Sequence, residues 1–193
     1  MIKIAIFASG SGSNAQKIAE HFEGSSKVKV SLILTNNPKA FVLERAQKLD
    51  IAANIFNKES FYRSTEIVAV LKSNNIDFIV LAGFMWLVPS YLVEAYPNKI
   101  VNIHPALLPK FGGKGMFGNY VHEAVKESGE NETGITIHYV NEHYDEGDII
   151  FQAKCEVAVN DSPQTIAEKV HALEYQHYSN VIESVILKSF KNP

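Results

Sequence analysis

Lys3-Ile4-Ala5-Ile6-Phe7-Ala8-Ser9-Gly10-Ser11-Gly12-Ser13-Asn14 is the stretch from which the fold can be read. A short apolar run rich in β-branched residues meets a turn of alternating serine and glycine, and a helical pattern starts at Asn14. This succession brings backbone N–H groups and the positive end of a helix dipole to one point, where they favour an anion. The spacing of Gly10, Gly12 and Ala15 also satisfies a dinucleotide fingerprint. That reading needs an acid for the ribose at the end of the second strand, and the chain has Thr35-Asn36-Asn37-Pro38 there. No Gly-Lys-Ser/Thr follows the turn, so a Walker loop is excluded. A phosphate cradle and a tight turn that binds nothing are the readings left open.

Working outward, strand-like segments at 3–8, 28–35, 51–56, 78–82 and 99–102 alternate with helical patterns at 14–22, 40–49, 62–74 and 90–96. That order predicts an α/β fold with a doubly wound parallel sheet. After Pro105 the pattern changes to a helix near 120–128, strands at 134–140 and 149–157, and a closing helix from 163 to about 188, which predicts a partly antiparallel extension of the sheet. No repeat, low-complexity tract or linker interrupts the 193 residues, so one domain spanning 1–193 with a shared core is expected.

Composition narrows the function classes. The chain is 46% hydrophobic and 20% charged with net charge −3, which gives no electrostatic reason to expect nucleic acid. Its one cysteine, Cys155, builds neither a disulfide framework nor a cysteine-based zinc site and reads as a buried apolar residue, which fits a reducing cytoplasmic setting. The apolar amino terminus is too short for a signal peptide, and no run approaches a membrane span. No metal-ligand spacing is present, and His21, His122, His138, His171 and His177 read as surface or hydrogen-bonded core residues. There is no nucleophile elbow, so covalent catalysis has no candidate.

Chemistry concentrates at Asn102-Ile103-His104-Pro105, where an apolar strand ends. Strand alternation puts Asn102 and His104 on one face, a carboxamide beside an imidazole. The pair suits acyl transfer, one group bonding a carbonyl oxygen and the other supplying a proton. In His143-Tyr144-Asp145-Glu146-Gly147-Asp148 three carboxylates crowd a glycine. A solvated turn explains them, and so does a loop folded over the strand end, with Asp145 at His104 raising its pKa and Asp148 facing water.

Ser9-Gly10-Ser11-Gly12-Ser13-Asn14, Leu81-Ala82-Gly83-Phe84-Met85, Asn102-Ile103-His104-Pro105-Ala106-Leu107-Leu108-Pro109, Gly134 with Ile137-His138-Tyr139-Val140, and Asp145 occur in an order that resembles the phosphoribosylglycinamide formyltransferase family over nearly the whole chain. The resemblance implies a Rossmann-like formyltransferase fold, with a mostly parallel twisted sheet, helices on both faces and an antiparallel carboxy-terminal extension. It also implies transfer of a formyl group from the co-substrate 10-formyltetrahydrofolate to the amine of glycinamide ribonucleotide in purine synthesis, without a metal. Residues 1–100 would form the phosphate-binding half and 101–193 the catalytic and folate-binding half.

Carried over by position, the resemblance makes Asn102, His104 and Asp145 the catalytic trio. Gly12, Ser13, Asn14 and Glu174 would hold the ribonucleotide. Met85, Trp86, Leu87 and Val88, with Asn141, Glu142, His143, Tyr144 and Asp145, would line the folate pocket together with Asn102, and Arg63 is the nearby arginine for the folate tail. The small-molecule substrates would be the partners, with no nucleic acid or membrane, and the protein a monomer or homodimer. Two stretches depart from the family pattern. Residues 110–120 hold four glycines where a short loop is usual, which suggests a mobile flap, and Trp86 stands where many relatives have arginine. Related formyltransferases or formyl-folate hydrolases share the Asn-x-His core, but their extra domains do not fit this length. A nucleotide-binding domain without catalysis is the alternative from another class.

Overall fold

The computed structural model describes residues 1–190; the one-domain expectation runs three residues further, outside the described residues. Seven strands form one sheet in the order β3-β2-β1-β4-β5-β6-β7. These are β1 (Ile2–Phe7), β2 (Val28–Thr35), β3 (Ala52–Ile55), β4 (Phe78–Leu81), β5 (Ile100–His104), β6 (Glu132–Tyr139) and β7 (Ile149–Glu156). The first five run parallel, and β6 and β7 add antiparallel, as the change of pattern after Pro105 predicts.

Strand alternation divides the core in two. Ile4 and Ile6 of β1 point to one face, where they meet Ala15 and Ile18 of α1 (Ser13–His21), Val42 and Ala46 of α2 (Val42–Lys48), Val125 of α6 (Asn119–Ser128) and the long α7 (Pro163–Ser189). Ala5 and Phe7 point to the other, against α3 (Lys58–Tyr62), α4 (Glu66–Ser73) and α5 (Ser90–Ala95). Phe7 is fully buried with Phe56, Phe61 and Phe84 around its ring, and a side chain so placed contributes about 1.5–3 kcal/mol. The central parallel strands β1 and β4 are apolar on both faces because helices cover both, whereas the edge strand β3 is largely exposed.

Two expectations are corrected. The helical pattern at 62–74 is two helices, because Asn57 and Ser60 form a capping box that starts α3 early, and residues 63–65 break the run before α4. Cys155 is half-buried rather than buried, since β7 is an edge strand whose residues alternate between the core and solvent.

The strand order reverses between β1 and β4, so the loops leaving their carboxyl ends diverge and open a crevice. Ser9 ties the two loops together. Its N–H donates to the Gly83 carbonyl, and its hydroxyl accepts from the Met85 N–H at 3.1 Å.

Candidate active site

A cavity of about 510 Å³ fills that crevice, bounded by residues 10–14 after β1, 81–88 after β4 and 102–105 at the end of β5. Gly12 caps α1 in the left-handed region, at φ 71°. No side chain caps this helix, so its first N–H groups are left for a ligand. Any side chain at Gly12 would sit 2.4 Å from Cγ2 and 2.9 Å from Cα of Val42, so α2 fixes how closely the turn is packed.

β5 runs two residues further than its apolar pattern predicts and carries both Asn102 and His104, on the face opposite Val101 and Ile103. His104 is 3% exposed. Its Nε2 lies 2.8 Å from the Phe111 carbonyl oxygen, which only accepts, so Nε2 carries the proton and donates. Nδ1 faces Asp145 Oδ2 at 3.4 Å. The acidic loop therefore folds over the strand end. Gly147 permits this, since a Cβ there would meet the Tyr139 carbonyl oxygen at 1.7 Å. Asp145 itself adopts φ 57°, a left-handed conformation sparsely used by non-glycine residues and frequent at functional sites. Asp148 is exposed.

The expected effect of Asp145 on His104 is reversed in the balance. Burial pushes the imidazole pKa down by more than Asp145 and the Phe111 carbonyl raise it, and His104 is held below its ordinary value as a neutral ring. For Asp145, burial pushes upward, but His138, His104 and the Gly113 N–H at 3.0 Å more than offset it and keep the carboxylate ionised.

Glu174, 5% exposed on α7, accepts from the Asn14 amide at 2.8 Å and pairs with His171 Nδ1 at 2.9 Å, which joins the cradle to the last helix. Met85, Trp86, Leu87 and Val88 form the opposite wall with His143 and Tyr144. Trp86 closes an aromatic cluster, with the Lys58 ammonium 5.8 Å from its ring centre, so a cation stands beside it. Arg63, Asn141 and Glu142 are not in the cavity wall. Arg63 is exposed at the end of α3, next to Tyr62, whose hydroxyl donates to the Leu87 carbonyl. Asn141 accepts from the His143 N–H and shapes the loop.

Sequence reasoning missed His138 and His122. Both are 2% exposed and belong to the wall. His138 pairs with Asn102 across β5 and β6. Its signal was polar alternation, Thr136 and His138 sharing a face of β6 as Asn102 and His104 do on β5. Among the described residues no group of three or more His, Cys, Asp or Glu is placed to hold a metal ion, and no helix is long and apolar enough to cross a membrane.

The family model described as formyl transferase matches residues 2–182. The chain is 42% identical to a chloroplastic phosphoribosylglycinamide formyltransferase of Arabidopsis thaliana, over 98% of this chain and 67% of that protein. It is 36% identical to the phosphoribosylglycinamide formyltransferase of Bacillus subtilis, over 96% of this chain and 95% of that protein. The crystal structure of phosphoribosylglycinamide formyltransferase from Bacillus halodurans superposes with a TM-score of 0.87 at 37% identity, covering 98% of each chain. With the same fold and near end-to-end similarity, the chain belongs to the formyl transferase family, among its phosphoribosylglycinamide formyltransferases.

Proposed function

We propose that this chain transfers the formyl group of 10-formyltetrahydrofolate to the amine of N1-(5-phosphoribosyl)glycinamide, a step of de novo purine synthesis, by direct attack of the amine. The observation that carries this reading is that Asn102, His104 and Asp145 line the same cavity as the uncapped start of α1, with His104 facing Asp145 at 3.4 Å. A substrate with a phosphate at one end and an amine at the other fits that cavity.

Gly12, Ser13 and Asn14 hold the phosphate through backbone N–H groups, and Glu174 accepts from the sugar. Residues 85–88, with His143, Tyr144 and Asp145, grip the folate, the apolar 85–88 side suiting the flat ring. Arg63, one residue beyond Tyr62, meets the folate's tail carboxylates at the mouth. The folate supplies an activated one-carbon group. As the amine attacks the formyl carbon, Asn102 donates to the oxygen that gains charge. His104 offers it the Nε2 proton now donated to the Phe111 carbonyl, once the flap shifts. Asp145 passes the amine's surplus proton through water to the departing folate nitrogen, whose bond to the formyl carbon breaks. Holding both reactants in one cleft supplies the proximity term.

The same reading makes the chain one functional unit, cytoplasmic, and a monomer or homodimer. Incubation with 10-formyltetrahydrofolate, followed by folate absorbance with and without glycinamide ribonucleotide, tests it. Acceptor-dependent loss of the formyl group is the expected result. Loss without acceptor makes the protein a hydrolase, and no change in either tube makes it a binder.

A further inference from the structure

Four buried side-chain atoms have no hydrogen-bond partner among the described residues, on Ser31, Asn36, His122 and Thr133, and of these residues only His122 belongs to the cavity wall. Its unpartnered atom is Nδ1, and the ring is 2% exposed. The other buried polar side chains of the wall are paired. His104 bonds Phe111, His138 bonds Asn102 and Tyr139, and Glu174 bonds Asn14 and His171. A buried ring nitrogen left unpaired is costly; Nδ1 is sealed from the cavity, while Nε2, which makes no hydrogen bond among the described residues and is not among the sealed atoms, is the nitrogen that a ligand can reach.

The position of His122 says what that ligand is. It lies in the first turn of α6, directly after the glycine-rich flap, with its ring centre 6.4 Å from that of His171. His171 bonds Glu174, and Glu174 bonds Asn14 of the cradle. His122, His171, Glu174 and His104 line the same cavity as residues 12–14, so the ring shares its wall with both the cradle and the catalytic imidazole. Burial, with His171 adding to it, keeps the ring neutral. A neutral imidazole presents one donor and one acceptor, which matches a sugar hydroxyl and would serve a phosphate less well.

We propose that His122 is a substrate-binding residue that hydrogen-bonds a ribosyl hydroxyl of the ribonucleotide, fixing the uncharged middle of the substrate between the phosphate cradle and the reacting amine. This rests on the formyl-transfer reading above. The His122→Phe variant keeps the ring and removes its nitrogens, and His122→Asn returns a donor and an acceptor.

Calorimetric titration and steady-state kinetics of both variants test the assignment. His122→Phe should weaken ribonucleotide binding roughly tenfold or more. KM for the ribonucleotide should rise far more than kcat falls, and His122→Asn should recover part of the loss. Ribose 5-phosphate should lose affinity in parallel, while inorganic phosphate and the folate bind as in the wild type. In the wild type, the His122 ring nitrogen signals should move on adding ribonucleotide and stay still on adding inorganic phosphate. Unchanged ribonucleotide binding in His122→Phe, unmoved ring signals, or an equal loss for inorganic phosphate overturns the assignment. The ring signals decide if neither variant folds. Wild-type protein that fails to formylate the ribonucleotide overturns the reading of function instead, and wild-type transfer with a silent His122→Phe overturns this inference alone.

Discussion

The Asn102 amide nitrogen lies 3.1 Å from Nε2 of His138, its partner in the antiparallel β5–β6 register. His138 Nδ1 is 2.8 Å from the Tyr139 carbonyl oxygen, to which it donates, and Nε2 faces both the Asn102 amide and, at 3.6 Å, Asp145 Oδ1. The carboxamide is thereby turned with one N–H on His138 and the second free for the cavity. Replacing His138 by Phe should let the carboxamide rotate. We expect kcat to fall about 10- to 100-fold with both KM values near wild type, and His138→Gln to restore part of it. Asn102→Ala, which removes the donor itself, should cost about 10²–10³ in kcat. Steady-state kinetics that leave kcat of His138→Phe unaltered would remove His138 from this role.

Asp145→Asn retains an oxygen for the Gly113 N–H but loses the charge beside His104. Because that charge is what raises the His104 pKa against burial, the variant's imidazole should titrate lower still. Turnover should fall by orders of magnitude, as in His104→Ala, while ribonucleotide binding stays near wild type and the fold is retained. NMR titration of His104 and single-turnover rates read both effects, and a wild-type rate in either variant strikes that residue from the chemistry.

The parallel half was legible because its central strands are apolar runs buried on both faces and separated by glycine and asparagine turns, a local signal. The turn at residues 10–14 announced its chemistry for the same reason, its glycines and the helix start being adjacent in sequence. What stayed hidden is non-local. His138 meets Asn102 only through a register 36 residues apart, and the state of His104 depends on how deeply residues 111–113 and the Asp145 loop bury it. Resemblance pointed to Asp145, but only the folded chain could tell that burial outweighs its charge.

Gly12→Val tests the cradle. Its Cβ would press on the backbone as well as the side chain of Val42, and φ 71° is strained for valine, so the turn must shift and carry the start of α1 with it. Ribonucleotide binding should weaken sharply and Tm fall, while folate binding, on loop 81–88, holds. The opposite pattern in a pair of titrations, folate lost and ribonucleotide kept, would show that the phosphate sits elsewhere.

Acid should destabilise the protein before its carboxylates titrate. Burial holds both His104 and His122 below the ordinary value of 6.5, so as pH drops through that value the unfolded chain takes up protons that the fold resists. Their contribution is complete above 6.5 and is lost progressively below it. His171 works in the other direction. Its bond to Glu174 raises its pKa, a contribution present below 6.5 and lost as pH rises through the folded value. Two buried rings should outweigh one whose side chain is half exposed and partly screened by solvent. Asp145, held below 3.8, adds its own loss only in stronger acid. Tm measured by calorimetry should therefore be lower at about pH 5.5 than at about pH 7.5. His122→Asn should flatten that dependence, and His171→Ala should steepen it, because the opposing group is gone. A Tm that is flat or rises on acidification would mean that the two rings are not held neutral by the fold.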